Sequence, residues 1–101
     1  MNINPGDVFQ ILSPKKRFSG VIYMFDYKGR MLFFDFITCD CYLITYKTVE
    51  RALNSKAHHP VHEDLKILNF LETIPNDVYE ELKNIIKLQI RANEPEILDL
   101  F

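Results

Sequence analysis

Several residue types are scarce in this 101-residue chain, and each scarcity excludes a class of protein. Tryptophan is absent, and the chain has only three glycines and two cysteines. Three scattered glycines do not make the glycine-rich loop that cradles phosphates in many nucleotide-binding enzymes. Cys39 and Cys41 are too few and too close together for a secreted disulfide framework. We expect two reduced thiols on one face of a strand.

Targeting signals and membrane spans are also missing from the sequence. The first residues, 1–7, lack the basic and apolar regions of a secretory signal, and no apolar run approaches the roughly 18 residues of a membrane span. These absences predict a cytoplasmic protein.

The charge of the chain is nearly balanced but unevenly distributed. The net charge of −2 gives no general reason to expect binding to nucleic acid or to anionic membranes. Residues 1–56 carry eight Lys/Arg against five Asp/Glu (+3), whereas residues 57–101 carry four against nine (−5). The carboxy-terminal half is therefore acidic.

Three apolar, aromatic-rich runs indicate a sheet. They are Val21–Phe25, Met31–Ile37 and Tyr42–Tyr46, and their β-branched and aromatic content is typical of buried strands. The second run is apolar on both faces apart from Asp35, which predicts a central strand covered on both sides. A carboxylate there is costly unless it is solvated or paired, so we expect Asp35 at the solvent edge or beside an arginine.

Shorter elements surround these runs. We expect a strand at Val8–Leu12 and a hairpin turn at Tyr27–Arg30, where Gly29 suits a positive φ. Residues Thr48–Asn54 can form about two helical turns capped by Thr48. The run Leu65–Leu71 is apolar at both helical and strand spacing, and we favour a strand.

The strongest helical pattern begins at Asn76 or Asp77 and continues to about Arg91. The side chains at the spacing of an amphipathic helix, which predicts that they face the core, are Val78, Leu82, Ile85, Ile86 and Gln89. Asp77 with Glu80 resembles a capping box. We therefore predict an α+β domain with a curved, mainly antiparallel sheet covered by this carboxy-terminal helix, and a partial SH3-like barrel is one form that such a sheet can take. One globular domain spans 1–101, with 1–47 mainly β, 48–75 mixed, 76–92 helical and 93–101 a tail.

Metal-ligand residue types are present without a metal-site spacing. His58, His59 and His62 surround Pro60, which disfavours a regular helix, and Cys-x-Cys differs from the Cys-x2-Cys of common zinc modules. No nucleophile is spaced with a base in a recognisable way. The sequence thus predicts no metal, no cofactor, no catalytic residue and no enzymatic activity.

Two further segments could bind a partner. Lys15–Arg17, with Lys28 and Arg30 on a turn expected to be nearby, could hold single-stranded RNA beside Phe18 and Tyr27, although these charges are few for that task. The tail 94–101 alternates acidic and apolar residues, which suits docking into a partner's groove. Packing onto the protein's own core is the favoured alternative, because the apolar side chains of the tail are costly to leave in water.

The amino terminus carries a resemblance to a known family. The segment Asn4-Pro-Gly-Asp-Val-Phe-Gln-Ile11, followed by Ser19-Gly-Val-Ile22, resembles the opening of bacterial polymorphic-toxin immunity proteins of the family called immunity protein twenty-six, over about the first quarter of the chain. The resemblance implies a cytoplasmic inhibitor that neutralises a cognate toxin. A Gly-Asp-hydrophobic start also occurs in the SH3-like barrels of plasmid-maintenance endoribonuclease toxins. This chain lacks their Arg-Pro step, so no catalytic residue carries over.

These observations predict a stoichiometric protein-binding inhibitor of the immunity or antitoxin type, acting by occlusion of a cognate protein with a basic surface. The alternative is an RNA-binding or RNA-cleaving SH3-like barrel of a toxin–antitoxin or anti-phage system. The predicted partner-binding residues are Glu63, Asp64, Glu80, Glu81, Glu94 and Glu96.

Overall fold

The computed structural model describes residues 3–12, 17–54 and 67–97, which form a six-stranded sheet and two helices. The strands are β1 (Asp7–Leu12), β2 (Arg17–Tyr27), β3 (Arg30–Asp35), β4 (Asp40–Ile44), β5 (Ile67–Thr73) and β6 (Glu96–Ile97). The helices are α1 (Tyr46–Asn54) and α2 (Asn76–Ala92). The chain is an α+β protein.

The sheet has the strand order β5-β1-β2-β3-β4-β6. Strands β1 to β4 form an antiparallel meander, β5 pairs antiparallel with β1, and β6 pairs parallel with β4. The predicted hairpin between β2 and β3 is confirmed: Lys28 and Gly29 have φ values of 51° and 77°. Positive φ at both central residues is the geometry that a two-residue turn needs to match the twist of its strands.

Both faces of the central strands are buried, as the pattern of the second apolar run predicted. Met31 and Phe33 belong to one cluster of buried residues, which also contains Val49 and Ala52 of α1. Leu32 and Phe34, which alternate with them, belong to a second cluster that contains Ile86 of α2. We call these two sides of the sheet the α1 face and the α2 face.

Helix α1 begins two residues earlier than predicted, and its cap differs. The Oγ1 of Thr45 accepts a hydrogen bond from the backbone N–H of Thr48 at 3.3 Å, and the Thr45 carbonyl accepts one from Val49 N–H at 3.1 Å. These bonds are those of an N-cap residue. The prediction of Thr48 as the cap is wrong, because Thr45 leaves β4 in position to satisfy the first free amides of the helix.

Helix α2 occupies the predicted segment, but its predicted capping box does not form. Pro75 is the N-cap residue, and no side chain caps the helix. The fixed φ of proline suits the entry into a helix, so the chain turns into α2 without the Asp77–Glu80 exchange. Tyr79 then ties the helix to the sheet, because its hydroxyl donates to the carbonyl oxygen of Met24 at 2.6 Å.

Strand β3 ends at Asp35, earlier than the predicted Ile37. Asp35 does not face solvent, and it meets no arginine among the side chains that the structure describes. It is 4% exposed. Its Oδ1 accepts hydrogen bonds from the backbone N–H groups of Ile37 at 2.9 Å and Thr38 at 3.3 Å. The expectation for Asp35 is therefore wrong. A short acidic side chain can satisfy the amides of its own turn, and this bonding starts the turn from β3 to β4.

The edges of the sheet are formed by β5 and β6. The strand favoured at Leu65–Leu71 is observed as β5, from Ile67 to Thr73. The described part of the acidic tail adds to the protein's own sheet, since Glu96 and Ile97 pair with Tyr42 and Leu43. The predictions for the histidines, for Lys15 and Lys16, for Glu63 and Asp64 and for 98–101 lie outside the described residues.

The position of Asp35 leads to a prediction about stability. Asp35→Ala leaves two amides of the turn without their acceptor, so we expect the free energy of unfolding to fall by about 2 kcal/mol. Asp35→Asn retains an acceptor oxygen and should cost less. Urea denaturation measures both changes. Asp40→Ala is the control, because that carboxylate is exposed and its loss should change stability by less than about 0.5 kcal/mol. Equal losses for Asp35→Ala and Asp40→Ala would contradict the role of Asp35.

Candidate binding surfaces on the two flanks of helix α2

Helix α2 presents three stripes of different chemistry. The middle stripe contacts the sheet: Ile86 is fully buried in the cluster of the α2 face, and Tyr79, Leu82 and Ile90 are packed against that cluster. One residue along a helix rotates the side chain by about 100°. Ile85 and Lys87, on either side of Ile86 in sequence, therefore lie on opposite flanks of the helix.

The flank that carries Lys87 borders a groove of about 710 Å³. One wall is the end of β2, from Phe25 to Tyr27, and the other is α2 with Glu94 beyond it. We call this the basic groove; its lining residues are Phe25, Asp26, Tyr27, Tyr79, Lys83, Lys87, Ile90, Arg91 and Glu94. Its size is within the range of sites for small ligands.

The cations of the basic groove lie in a row along the helix. Lys83, Lys87 and Arg91 are four residues apart, so they share a flank and follow one another at about 6 Å along the axis. Lys83 Nζ lies 5.5 Å from the Tyr79 ring centroid, and Lys87 Nζ lies 5.9 Å from that of Phe25. These cation–π contacts hold the ammonium groups against the aromatic walls.

Two ion pairs limit how many of these charges are free. Lys83 Nζ is 3.1 Å from Glu80 Oε2, and Lys28 Nζ is 2.9 Å from Glu94 Oε1. The hydrogen bond to Glu94 raises the pKa of Lys28. Within the described part of the chain, Lys87 and Arg91 have no such acidic partner, so they are the cations that remain available to a ligand.

The carboxylate of Asp26, at the end of β2, is held by two tyrosines. Tyr23 donates its hydroxyl hydrogen to Asp26 Oδ1 at 2.6 Å. Burial, together with this bond, raises the pKa of Tyr23 well above its ordinary value. Tyr46 at the start of α1 also hydrogen-bonds Asp26, and that bond raises the pKa of Tyr46. This arrangement fixes the Asp26 side chain and keeps both phenols protonated at neutral pH.

The opposite flank of α2 is apolar and exposed. Val78, Ile85 and Leu88 are 41%, 57% and 65% exposed, and their spacing of seven and three residues places them on one side of the helix. Phe36 and Ile37, in the turn between β3 and β4, are also exposed. We call these five residues the apolar flank. Exposed apolar surface of this kind marks interaction sites more often than isolated surface residues do.

A hydrogen bond joins the two parts of the apolar flank. Gln89 Nε2 donates to the carbonyl oxygen of Cys39 at 2.9 Å, so the helix is bound to the turn that carries Phe36 and Ile37. The Phe36 ring lies against Gly20, where an added Cβ would be 2.4 Å from its atoms. Glycine at position 20 therefore gives the Phe36 ring the space to lie on the sheet.

The predicted acidic residues are not gathered on one face within the described part of the chain. Glu80 is paired with Lys83 near the start of α2, whereas Glu81, the next residue, lies on the side of the apolar flank. Glu94 is paired with Lys28. Glu96 lies on β6 at the sheet edge. Their part in partner binding stays a prediction.

Among the described residues of the two predicted basic turns, Arg17 and Lys28 are not brought together by the fold. Arg17 begins β2, whereas Lys28 follows the other end of this eleven-residue strand. The expectation that they occupy neighbouring turns is wrong for Arg17. Strand β2 begins at Arg17 and continues to Tyr27, so its whole length separates Arg17 from Lys28. Lys28 instead borders the basic groove through its ion pair with Glu94.

The two cysteines occupy different environments. Cys39 is exposed and has a φ of 62° in the turn, while Cys41 is buried on the α2 face. The prediction that they share one face of a strand is wrong, because β4 begins only at Asp40. Both are free thiols. No cluster of three or more histidine, cysteine or acidic side chains suited to a metal ion occurs in 3–12, 17–54 and 67–97.

Sequence reasoning missed both flanks of α2. The spacing of Lys83, Lys87 and Arg91 was visible, and so was a second apolar stripe at Val78, Ile85 and Leu88. The prediction that Val78 and Ile85 face the core is wrong, because both side chains are exposed on the apolar flank. Only the choice of Ile86 as the buried centre separates the two stripes, and that choice depends on the sheet.

Comparison with protein families, with curated proteins and with solved structures found no match to this chain. In the part of the chain that the structure describes, neither helix is long and apolar enough to cross a membrane.

The environments of the cysteines lead to a prediction about thiol reactivity. Burial raises the pKa of the Cys41 thiol to about 11, so at pH 8 only about one molecule in a thousand carries the reactive thiolate. We expect a disulfide reagent such as Ellman's reagent to titrate one thiol rapidly in the native protein and two in urea. Cys39→Ser should abolish the rapid phase. Rapid reaction of two thiols in the native protein would show that Cys41 is not protected.

Proposed function

We propose that this protein is a stoichiometric binding protein of the immunity or antitoxin type, which inhibits a partner protein by covering its functional surface. The observation that carries the proposal is the apolar flank, five large exposed side chains on one helix side and the adjoining turn. The resemblance of the amino-terminal strands to immunity proteins supports the same function. A partial SH3-like barrel, with α2 as its cover, is the architecture we propose for this binding scaffold.

The charges beside the apolar flank indicate the kind of partner. Glu81 on α2 and Asp40 at the start of β4 are exposed next to it, whereas Lys83, Lys87 and Arg91 all lie on the opposite flank. Acidic groups around an apolar centre favour a protein surface with apolar side chains surrounded by basic ones. A basic active site, such as that of a nuclease, has this character, so its occlusion is the mechanism we propose.

The energetic argument favours an occupied surface. Burial of a fully exposed isoleucine or leucine side chain is worth about 1.5–3 kcal/mol. Ile85 and Leu88 are more than half exposed, so a partner that covers both regains much of this free energy. A few central apolar residues commonly supply most of the affinity of a protein interface.

Photocrosslinking tests where the partner binds. A benzophenone amino acid at position 88 should crosslink one protein of the host cell, and the same amino acid at Lys47, on the exposed side of α1, should not. The crosslinked protein is then purified, and its activity is measured with and without this chain. We expect activity to fall to zero at a one-to-one ratio.

Substitution of a single residue tests the contribution of the apolar flank to binding. Ile85→Asp places a charge in the centre of the proposed interface, so we expect affinity for the purified partner to fall at least about tenfold. Asn84→Asp adds the same charge to the adjacent exposed residue of the same helix, outside the apolar flank, and should change affinity by less than about threefold. Titration calorimetry measures both.

Three results would contradict the proposed function. The first is equal binding by the Ile85→Asp and Asn84→Asp variants. The second is a crosslink from position 88 to nothing except a second copy of this chain, which would make the flank a dimer contact. The third is full partner activity in the saturated complex. Thermal unfolding of both variants checks that they are folded. We expect both to fold, because substitutions at exposed positions usually change stability little.

A further inference from the structure

The basic groove lies on the flank of α2 that the proposed function does not use. We propose that this groove is a binding site for a nucleotide, either free or as a unit of single-stranded RNA. The inference goes beyond the proposed function, and because the two surfaces are separated by the buried stripe of the helix, each can be tested with the other intact.

The phosphate of the ligand is expected at Lys87 and Arg91. These two cations are one helical turn apart on the groove side and have no acidic partner among the described residues. An arginine and a lysine at this distance can contact different oxygens of one phosphate, and arginine can do so with two N–H groups. Because Lys87 already lies over Phe25, its ammonium group is held at the groove in the free protein.

The aromatic base of the ligand is expected on the β2 wall. Phe25 and Tyr27 line the groove. In the free protein the ammonium groups of Lys87 and Lys28 lie 5.9 Å and 5.3 Å from the centroids of these two rings. A base that stacks on either ring takes the place of that ammonium group. The fold holds these rings in place, since both are packed against the cluster of the α2 face. Stacking adds affinity for every base, so this wall selects a nucleotide over a bare anion.

The carboxylate of Glu94 favours a nucleotide over an acidic peptide. Glu94 has one oxygen on Lys28, and its second oxygen can accept a hydrogen bond from a ribose hydroxyl or a base amino group. Asp26 does not take part, because its carboxylate is held by Tyr23 on the α1 face of the sheet. An acidic peptide would bring its own carboxylates against Glu94, whereas a nucleotide brings hydrogen-bond donors together with its phosphate.

Arg30 lies beside the basic groove without lining it. It pairs with Tyr27 in the register of the β2–β3 hairpin, so the two side chains share a face of the sheet. The Arg30 side chain is half-buried, and its Nε atom is buried without a hydrogen-bond partner in the structure. The positive charge of Arg30 adds to the potential that attracts a phosphate to this end of the groove.

Nuclear magnetic resonance of the full chain tests the proposal with three separate probes: AMP, a single-stranded RNA pentanucleotide of mixed sequence, and inorganic phosphate. We expect saturable shifts of backbone amides confined to residues 25–30 and 83–94 with AMP, with the RNA, or with both. Inorganic phosphate should bind at least about tenfold more weakly than the better nucleotide probe. Tight binding of the RNA but not of AMP identifies the ligand as single-stranded RNA. Binding of AMP as tight as that of the RNA identifies the ligand as a free nucleotide.

Matched variants assign the two halves of the site. Lys87→Gln should lower affinity for the nucleotide probe at least about tenfold. Lys47→Gln removes the same charge from an exposed position of α1 and should change affinity for the nucleotide probe by less than about twofold. Tyr27→Leu keeps apolar volume but removes the stacking face. It should lower affinity for the nucleotide probe at least about fivefold and leave affinity for inorganic phosphate unchanged.

Any of four results would overturn the proposal. The first two are the absence of a saturable shift with either nucleotide probe, and binding of phosphate as tight as that of AMP and RNA. The other two are shifts that map outside residues 25–30 and 83–94, and equal affinity of the Lys87→Gln and Lys47→Gln variants for the nucleotide probe. Binding of the partner protein by the Lys87→Gln variant is measured in parallel, and it should be unchanged because Lys87 lies outside the apolar flank.

Discussion

Burial of β3 on both of its faces is the constraint from which the rest of this structure follows. Met31 and Phe33 point to the α1 face, and Leu32 and Phe34 point to the α2 face, each 6% exposed or less. A strand that is apolar on both sides is stable only when both sides are removed from water. The chain meets this need with strands on either side of β3 and with a helix contacting each face.

The contact of α2 with the sheet also determines what the helix presents to solvent. Because Ile86 is the buried centre, the row of cations and the row of apolar residues lie on opposite sides. The cations meet the aromatic end of β2, and the apolar residues adjoin the turn that Gln89 holds. Two surfaces of different chemistry therefore exist on a single seventeen-residue helix.

The buried carboxylates of this protein stabilise its turns. Asp35 accepts the amides of the turn between β3 and β4. Asp7, which is 6% exposed, accepts the Thr73 hydroxyl at 2.8 Å and the Asn4 amide at 2.9 Å, so it joins β1 to β5 and to the preceding turn. In both cases a buried charge is compensated by hydrogen bonds from neighbouring chain segments. These bonds assign the two carboxylates a role in the fold.

The sequence by itself determined the features that depend on neighbours in the chain. The apolar runs, the positive φ at Gly29 and the helical period after Asn76 are local, and the structure agrees with each. Features that depend on distant residues were decided by the tertiary structure. Met24 and Tyr79, which orient α2, are 55 residues apart, and that contact selects Ile86 as the buried residue. The periodicity of a sequence reveals that a helix has an apolar side, but α2 has two apolar stripes that both fit the helical period. Only packing against the sheet decides which stripe is buried and which remains exposed.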